Sequence, residues 1–150
     1  MNQKPAQKIE EHVNHSHSTL NRLLEEIEVH ALALCTEVED RNSLMTDLNQ
    51  YTHLFIDEIT THITEEEQDL FGWISRRLPT QVDQLFVEHR EIEVLLEGLT
   101  ALVKAGLDHS VISEILIRDI NDQVRLLKFA YYAHSNHERL LLERVTLMER

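Results

Sequence analysis

Residues 55–73 read FIDEITTHITEEEQDLFGW, and the spacing within this stretch decides the fold. Phe55, Ile59, His62, Glu66, Leu70 and Trp73 follow one another in steps of three or four, so a helix brings all six to one face. Leu48 and Thr52 extend the stripe upstream. A helix that packs in a bundle normally turns only apolar side chains toward its neighbours. Here His62 and Glu66 stand one turn apart in the middle of that face.

Three further stripes have the same period. The first runs Ile9, Val13, His17, Leu20, Leu24, Ile27, Ala31, Leu34, Val38. Another runs Val82, Leu85, His89, Ile92, Leu96, Leu99, Val103. The last runs from Ile117 through Ile120, Val124, Leu127, Tyr131, His134, Glu138, Leu141 and Val145 to Met148. Breaks fall near Asp40-Arg41-Asn42, at Pro79 and around Gly106-Leu107-Asp108. Ser43, Thr80 and Ser110 are plausible N-caps, and Thr80 with Asp83 has the form of a capping box. The expected helices are about 7–39, 43–77, 80–105 and 110–148. The fold class is all-α, an up-down-up-down four-helix bundle, with one domain over residues 1–150.

Ten histidines occur in 150 residues. His17, His62, His89 and His134 lie on the stripes, one per helix, and Glu66 and Glu138 each follow a stripe histidine by four residues. A shift of 72 maps His17, His62 and Glu66 onto His89, His134 and Glu138, so the chain is two copies of one helical hairpin. HSTLNRLL at 17–24 and HREIEVLL at 89–96 match in their apolar positions. From His17 the first helix rises roughly 33 Å and the second returns roughly 29 Å to His62, which brings the two histidines to one level. His12, His15, His30, His53 and His109 lie off the stripes and are expected at the solvated surface. His137 adjoins Glu138 and could support it. Tyr131, one turn from His134, is expected in the core with its hydroxyl near the same level, as a hydrogen-bonding group or a ligand.

Composition agrees with this architecture. Hydrophobic residues make up 42% of the chain, enough for a core. Three glycines and two prolines leave little for the turns of a β-sandwich. Acids outnumber bases 27 to 14, a formal charge of −13, which disfavours nucleic acid and anionic membranes as partners. No apolar run approaches the length of a membrane span and the first twenty residues hold no secretory h-region, so a soluble, cytoplasmic protein is expected. Cys35 has no partner for an internal disulfide and is expected to be a packed small residue.

Four imidazoles and two carboxylates at one level of an apolar core require partners, and no lysine or arginine sits on any stripe. Cations between the helices would supply them. Iron, manganese and zinc all accept such N/O donors, and six ligands exceed the need of one tetrahedral zinc. Two shared glutamates with two histidines per ion account for all six. The Glu-x-x-His pairs of ferritin-like bundles, His-Glu-x-x-His, Gly-rich phosphate loops and Cys-x-x-Cys are all missing.

HITEEEQDLF at 62–71 and, more loosely, HSNHERLLL at 134–142 resemble the helix motifs of the hemerythrin-like (HHE cation-binding) superfamily, and the resemblance spans the chain. It implies a non-haem centre of two Fe ions bridged by Glu66 and Glu138 and capped by His17, His62, His89 and His134, with Zn or Mn able to replace iron in isolated protein. Oxygen-carrying members have a second histidine four residues after the third-helix histidine and an aspartate five after the fourth-helix one. Glu93 and Arg139 stand at those places here. The pattern is more similar to the diiron domain of iron–sulfur cluster repair proteins. A small diatomic ligand or peroxide is the implied partner, with reaction or sensing of O2, NO or peroxide in stress response or iron handling. Reversible oxygen binding or iron storage without catalysis is the alternative, and the sequence does not choose between enzyme and binding module.

Overall fold

The computed structural model describes residues 5–149, with side chains from Lys8 onward, so the extreme ends of the expected 1–150 domain lie outside the described residues. Helix α1 is Pro5–Thr36, α2 is Arg41–Glu65, α3 is Phe71–Ser75, α4 is Val82–Asp108 and α5 is Glu114–Met148. A π turn over Glu66–Leu70 joins α2 to α3. These three pieces form one rod, so the molecule is an up-down-up-down bundle of four rods, with no strand among the described residues.

Turn chemistry moves each expected boundary. A 3-10 turn, Val38–Asp40, separates α1 from α2. Ser43 therefore lies inside α2 and caps nothing. Arg41 closes the corner instead: its Nε donates to the Leu34 carbonyl at 3.0 Å, satisfying an acceptor that the helix end leaves open. Helix α4 starts at Val82 after Gln81, and neither Thr80 nor a Thr80–Asp83 box caps it. It also runs through Gly106 to Asp108. Gly106 is a contact residue, since a Cβ there would lie 2.6 Å from Met45 Cε. Ser113, not Ser110, caps α5, its Oγ accepting from Leu116 N at 3.1 Å. Ile112 before the cap and Ile117 after it both join the main core, which is the hydrophobic staple arrangement.

The stripes form the core except at their ends. Val38 is 61% and Met148 57% exposed, because the first lies in the 3-10 turn and the second at the last residue of α5. Buried apolar side chains fall into two clusters. The larger runs from Leu20 and Ile63 to the turns near residues 40 and 110. The smaller contains Val13, Leu70, Phe71, Trp73, Ile74, Val82, Leu85, Leu141, Leu142 and Val145. Six buried or nearly buried polar side chains separate them.

The π turn decides the register of the smaller cluster. A π turn takes in one residue more than an α turn, so the helix face rotates as it passes. Phe71 and Ile74 thereby join Leu70 and Trp73 in the core. Phe71 stacks on the His89 ring, with centroids 4.8 Å apart and an interplanar angle of 22°.

Candidate metal centre

All six stripe residues meet in the layer between the clusters. His17 comes from α1, His62 from α2, Glu66 from the first residue of the π turn, His89 from α4, and His134 and Glu138 from α5. Glu66 Oε1 lies 2.8 Å from His62 Nε2 and 3.0 Å from His89 Nε2. Glu138 lies 3.1 Å from His17 Nε2 through Oε1 and 3.0 Å from His134 Nε2 through Oε2. Two groups of four result: His17, His62, Glu66 and Glu138, and Glu66, His89, His134 and Glu138. Within each, one donor atom per residue lies within 4.8 Å of the others, and both glutamates belong to both groups.

Unsatisfied atoms test whether this donor set fits a cation. His17 Nε2, His62 Nε2, Glu66 Oε2 and both Glu138 oxygens are buried with no hydrogen-bond partner among the described residues. His62 Nε2 sits 2.8 Å from Glu66 Oε1, yet the pair lacks hydrogen-bond geometry. These atoms crowd together without hydrogen-bond geometry, whereas His89 Nε2 has it with Glu66 Oε1 at 3.0 Å and with His134 Nε2 at 3.1 Å. Buried polar atoms are rarely left in this condition. Imidazole nitrogens and carboxylate oxygens gathered this closely suit a divalent cation.

Charge within the layer supports the same reading. Burial, then the neighbouring Glu138 charge, raises the Glu66 carboxyl well above its ordinary range. Burial alone would raise Glu138 too, but the close approach of Glu66, His134 and His17 outweighs it and holds Glu138 well below the usual carboxylate pKa. Burial would likewise lower His134, but Glu138, Glu66 and Glu88 raise it to about 11. Burial lowers His62 to about 4 and His89 to about 3. Two carboxylates in one site divide into a neutral and an ionised member because like charges at this distance repel. The upward shifts at Glu66 and His134 favour their protonated forms.

The far ring nitrogens of His62 and His134 find partners that the stripe pattern did not single out, whereas that of His89 is buried with none among the described residues. Ser16 Oγ lies 2.7 Å from His62 Nδ1. Glu88 Oε1 lies 2.9 Å from His134 Nδ1, and its Oε2 lies 2.9 Å from His137 Nδ1. Those two bonds hold Glu88 ionised against its partial burial. Ser16 and Glu88 immediately precede His17 and His89, so the shift of 72 that relates the hairpins relates them as well. The repeat was the signal that could have found both. His137 therefore reaches the layer through Glu88. Tyr131 is fully buried, with its hydroxyl 3.4 Å from the His17 carbonyl and its ring edge-on to Phe55. Burial raises the phenol above its ordinary pKa, and Tyr131 belongs to neither group of four donors.

Other residues stay away from the layer. His12, His15, His53 and His109 are exposed as expected, but His30 is half-buried against Tyr51, its Nδ1 2.7 Å from the Glu26 carbonyl oxygen. Cys35 is exposed and not packed, because it lies one position beyond the buried Leu34 at the end of α1. Glu93 turns outward to Arg90 at 2.9 Å, and Arg139 to Glu143 at 2.8 Å. A cleft of about 360 Å³ between α1 and the junction of α2 with the π turn has His62 and Glu66 in its wall. No described helix is long and apolar enough to cross a membrane.

The model of the hemerythrin HHE cation-binding domain family matches residues 8–147, nearly the whole chain. No curated protein and no solved structure matches it. The chain belongs to the hemerythrin HHE cation-binding domain family.

Proposed function

We propose that this cation-binding bundle holds two iron ions in its polar layer and uses them to react with, or to sense, oxygen, nitric oxide or peroxide. The observation that carries the reading is the double donor set, two groups of four that share Glu66 and Glu138. His17 and His62 would hold one ion and His89 and His134 the other, with Glu66 and Glu138 available to both. Manganese or zinc could occupy the same donors in isolated protein. Ferrous ions held in this way supply electrons and coordination positions for a small molecule.

The residues of the chain do the rest. Ser16 and Glu88 fix the rings of His62 and His134 by their far nitrogens, which sets the near nitrogens toward the centre. The two apolar clusters shield the layer above and below. Glu93 and Arg139 are bound to partners at the surface, so neither ion gains a further protein donor from those places. Each ion would have four protein donors with none added on one side, an arrangement that would favour reaction with a small molecule over its reversible binding. A place in oxidative or nitrosative stress response or in iron handling, in a cytoplasmic setting, completes the proposal.

The test is anaerobic loading with ferrous iron, counting of bound metal, and an absorption spectrum on adding oxygen. Two irons per chain and an oxidised product that vacuum does not reverse are expected. Oxygen released intact on degassing would restore reversible storage as the function. Loading of one ion or none would remove the two-ion centre.

A further inference from the structure

The hairpins match in the six residues that meet in the layer, but they differ in what stands behind those residues. In the first hairpin the residue before His17 is Ser16, whose neutral hydroxyl lies 2.7 Å from His62 Nδ1. In the second, the residue before His89 is Glu88, whose carboxylate lies 2.9 Å from His134 Nδ1. A second acid, Glu67, approaches His89 Nδ1 to 3.5 Å and is itself held at 2.7 Å by Arg90. His134 of the second pair is thus hydrogen-bonded from behind by a carboxylate and His62 of the first by an uncharged group, while Glu67 stands near His89 Nδ1 without hydrogen-bond geometry.

A carboxylate that accepts the far N–H of a ligating histidine makes the ring a stronger donor and adds negative charge near the ion. A hydroxyl orients the ring equally well but carries no charge. Glu88 is also held from outside by His137 at 2.9 Å, so its direction toward His134 is fixed on both oxygens.

We propose that the two cation positions are unequal, and that a divalent ion binds more tightly between His89 and His134 than between His17 and His62, with Glu88 as the positioning residue that sets the difference. The inference rests on the two-ion reading. It assigns an order of filling: the first ion enters the second hairpin's position, and the other follows.

Titration of the metal-free chain with cobalt(II), followed by visible absorption and equilibrium dialysis, tests the order. Repulsion between two ions also separates binding steps, so the assignment rests on single-position variants. His17→Ala leaves the second hairpin's position and His89→Ala leaves the first. The expected dissociation constants differ about 10- to 100-fold in favour of the His17→Ala protein. Adding Glu88→Gln to His17→Ala should remove most of that difference, while Glu88→Asp should retain part of it and His53→Ala should leave the His17→Ala protein unchanged. Equal constants for the two single-position variants would overturn the inference while leaving the two-ion centre standing. A wild-type chain that takes up fewer than two cobalt ions would instead overturn the centre on which it rests.

Discussion

Chelation of the metal-loaded protein is expected to lower its melting temperature by roughly 6–12 °C. Removing one partner from a buried ionic group destabilises a protein by about 3–5 kcal/mol, and for a chain of this size about 1 kcal/mol shifts the midpoint about 2–4 °C. Taking the low end of that cost allows for protons that remain on Glu66 and His134. The chelated protein should also weaken in acid. Burial holds His62 at about 4 and His89 at about 3, whereas an unfolded chain protonates both near 6.5. Their contribution is complete above about 6.5 and is lost as pH falls from there toward 4 and 3. Glu66, raised by burial, acts in the opposite sense above the ordinary carboxylate range, but it is one group against two histidines. Glu138, held low, adds to the loss below that range. His134, raised to about 11, contributes fully below about 6.5 and fades as pH rises from there toward 11. Calorimetry of loaded and chelated protein between pH 4 and 9 measures both effects. A chelated form with an unchanged melting temperature would show that the layer tolerates its polar groups unaided.

The four rods and the six converging residues were legible because period and repeat are properties of the sequence alone. Steps of three and four placed His17, His62, His89 and His134 on core faces, and the shift of 72 paired them before any contact was known. The turns were less legible. Ser43, Thr80 and Ser110 all have cap chemistry, yet Ser113 caps α5 because Ile112 and Ile117 can then close over it. That choice depends on a core which local sequence does not display. Gly106 looked like a helix end and is instead the place where α4 meets Met45. The π turn over Glu66–Leu70 left no sign either. LFGWI reads as apolar in either register, so Phe71 and Ile74 could not be told from surface positions. The turn begins at Glu66, and π turns recur at functional sites because one extra residue re-aims a side chain without ending the helix. Ser16 and Glu88 were within reach of the repeat, but a serine and a glutamate carry no shared residue type to mark them as equivalents.

The largest effect on metal content is expected from the shared carboxylates. Each histidine belongs to one group of donors, whereas Glu66 and Glu138 belong to both. Glu138 is also fully buried, one oxygen against His17 and the other against His134, so no solvent-exposed acid can replace it. Glu138→Ala should therefore reduce bound metal from two ions per chain to none at micromolar free metal. His17→Ala should reduce it to one, since the four donors of the second group survive. His30→Ala and His53→Ala should leave it at two, because neither ring comes near the layer. These deletions should not add: once Glu138 is gone, removing His17 as well has nothing further to take away. Metal counting after gel filtration, with circular dichroism to confirm retained helix, distinguishes the cases. A Glu138→Ala protein that keeps one ion would mean that the carboxylate serves a single position. Equal losses from His17→Ala and His53→Ala would mean that the ions do not sit in the layer at all.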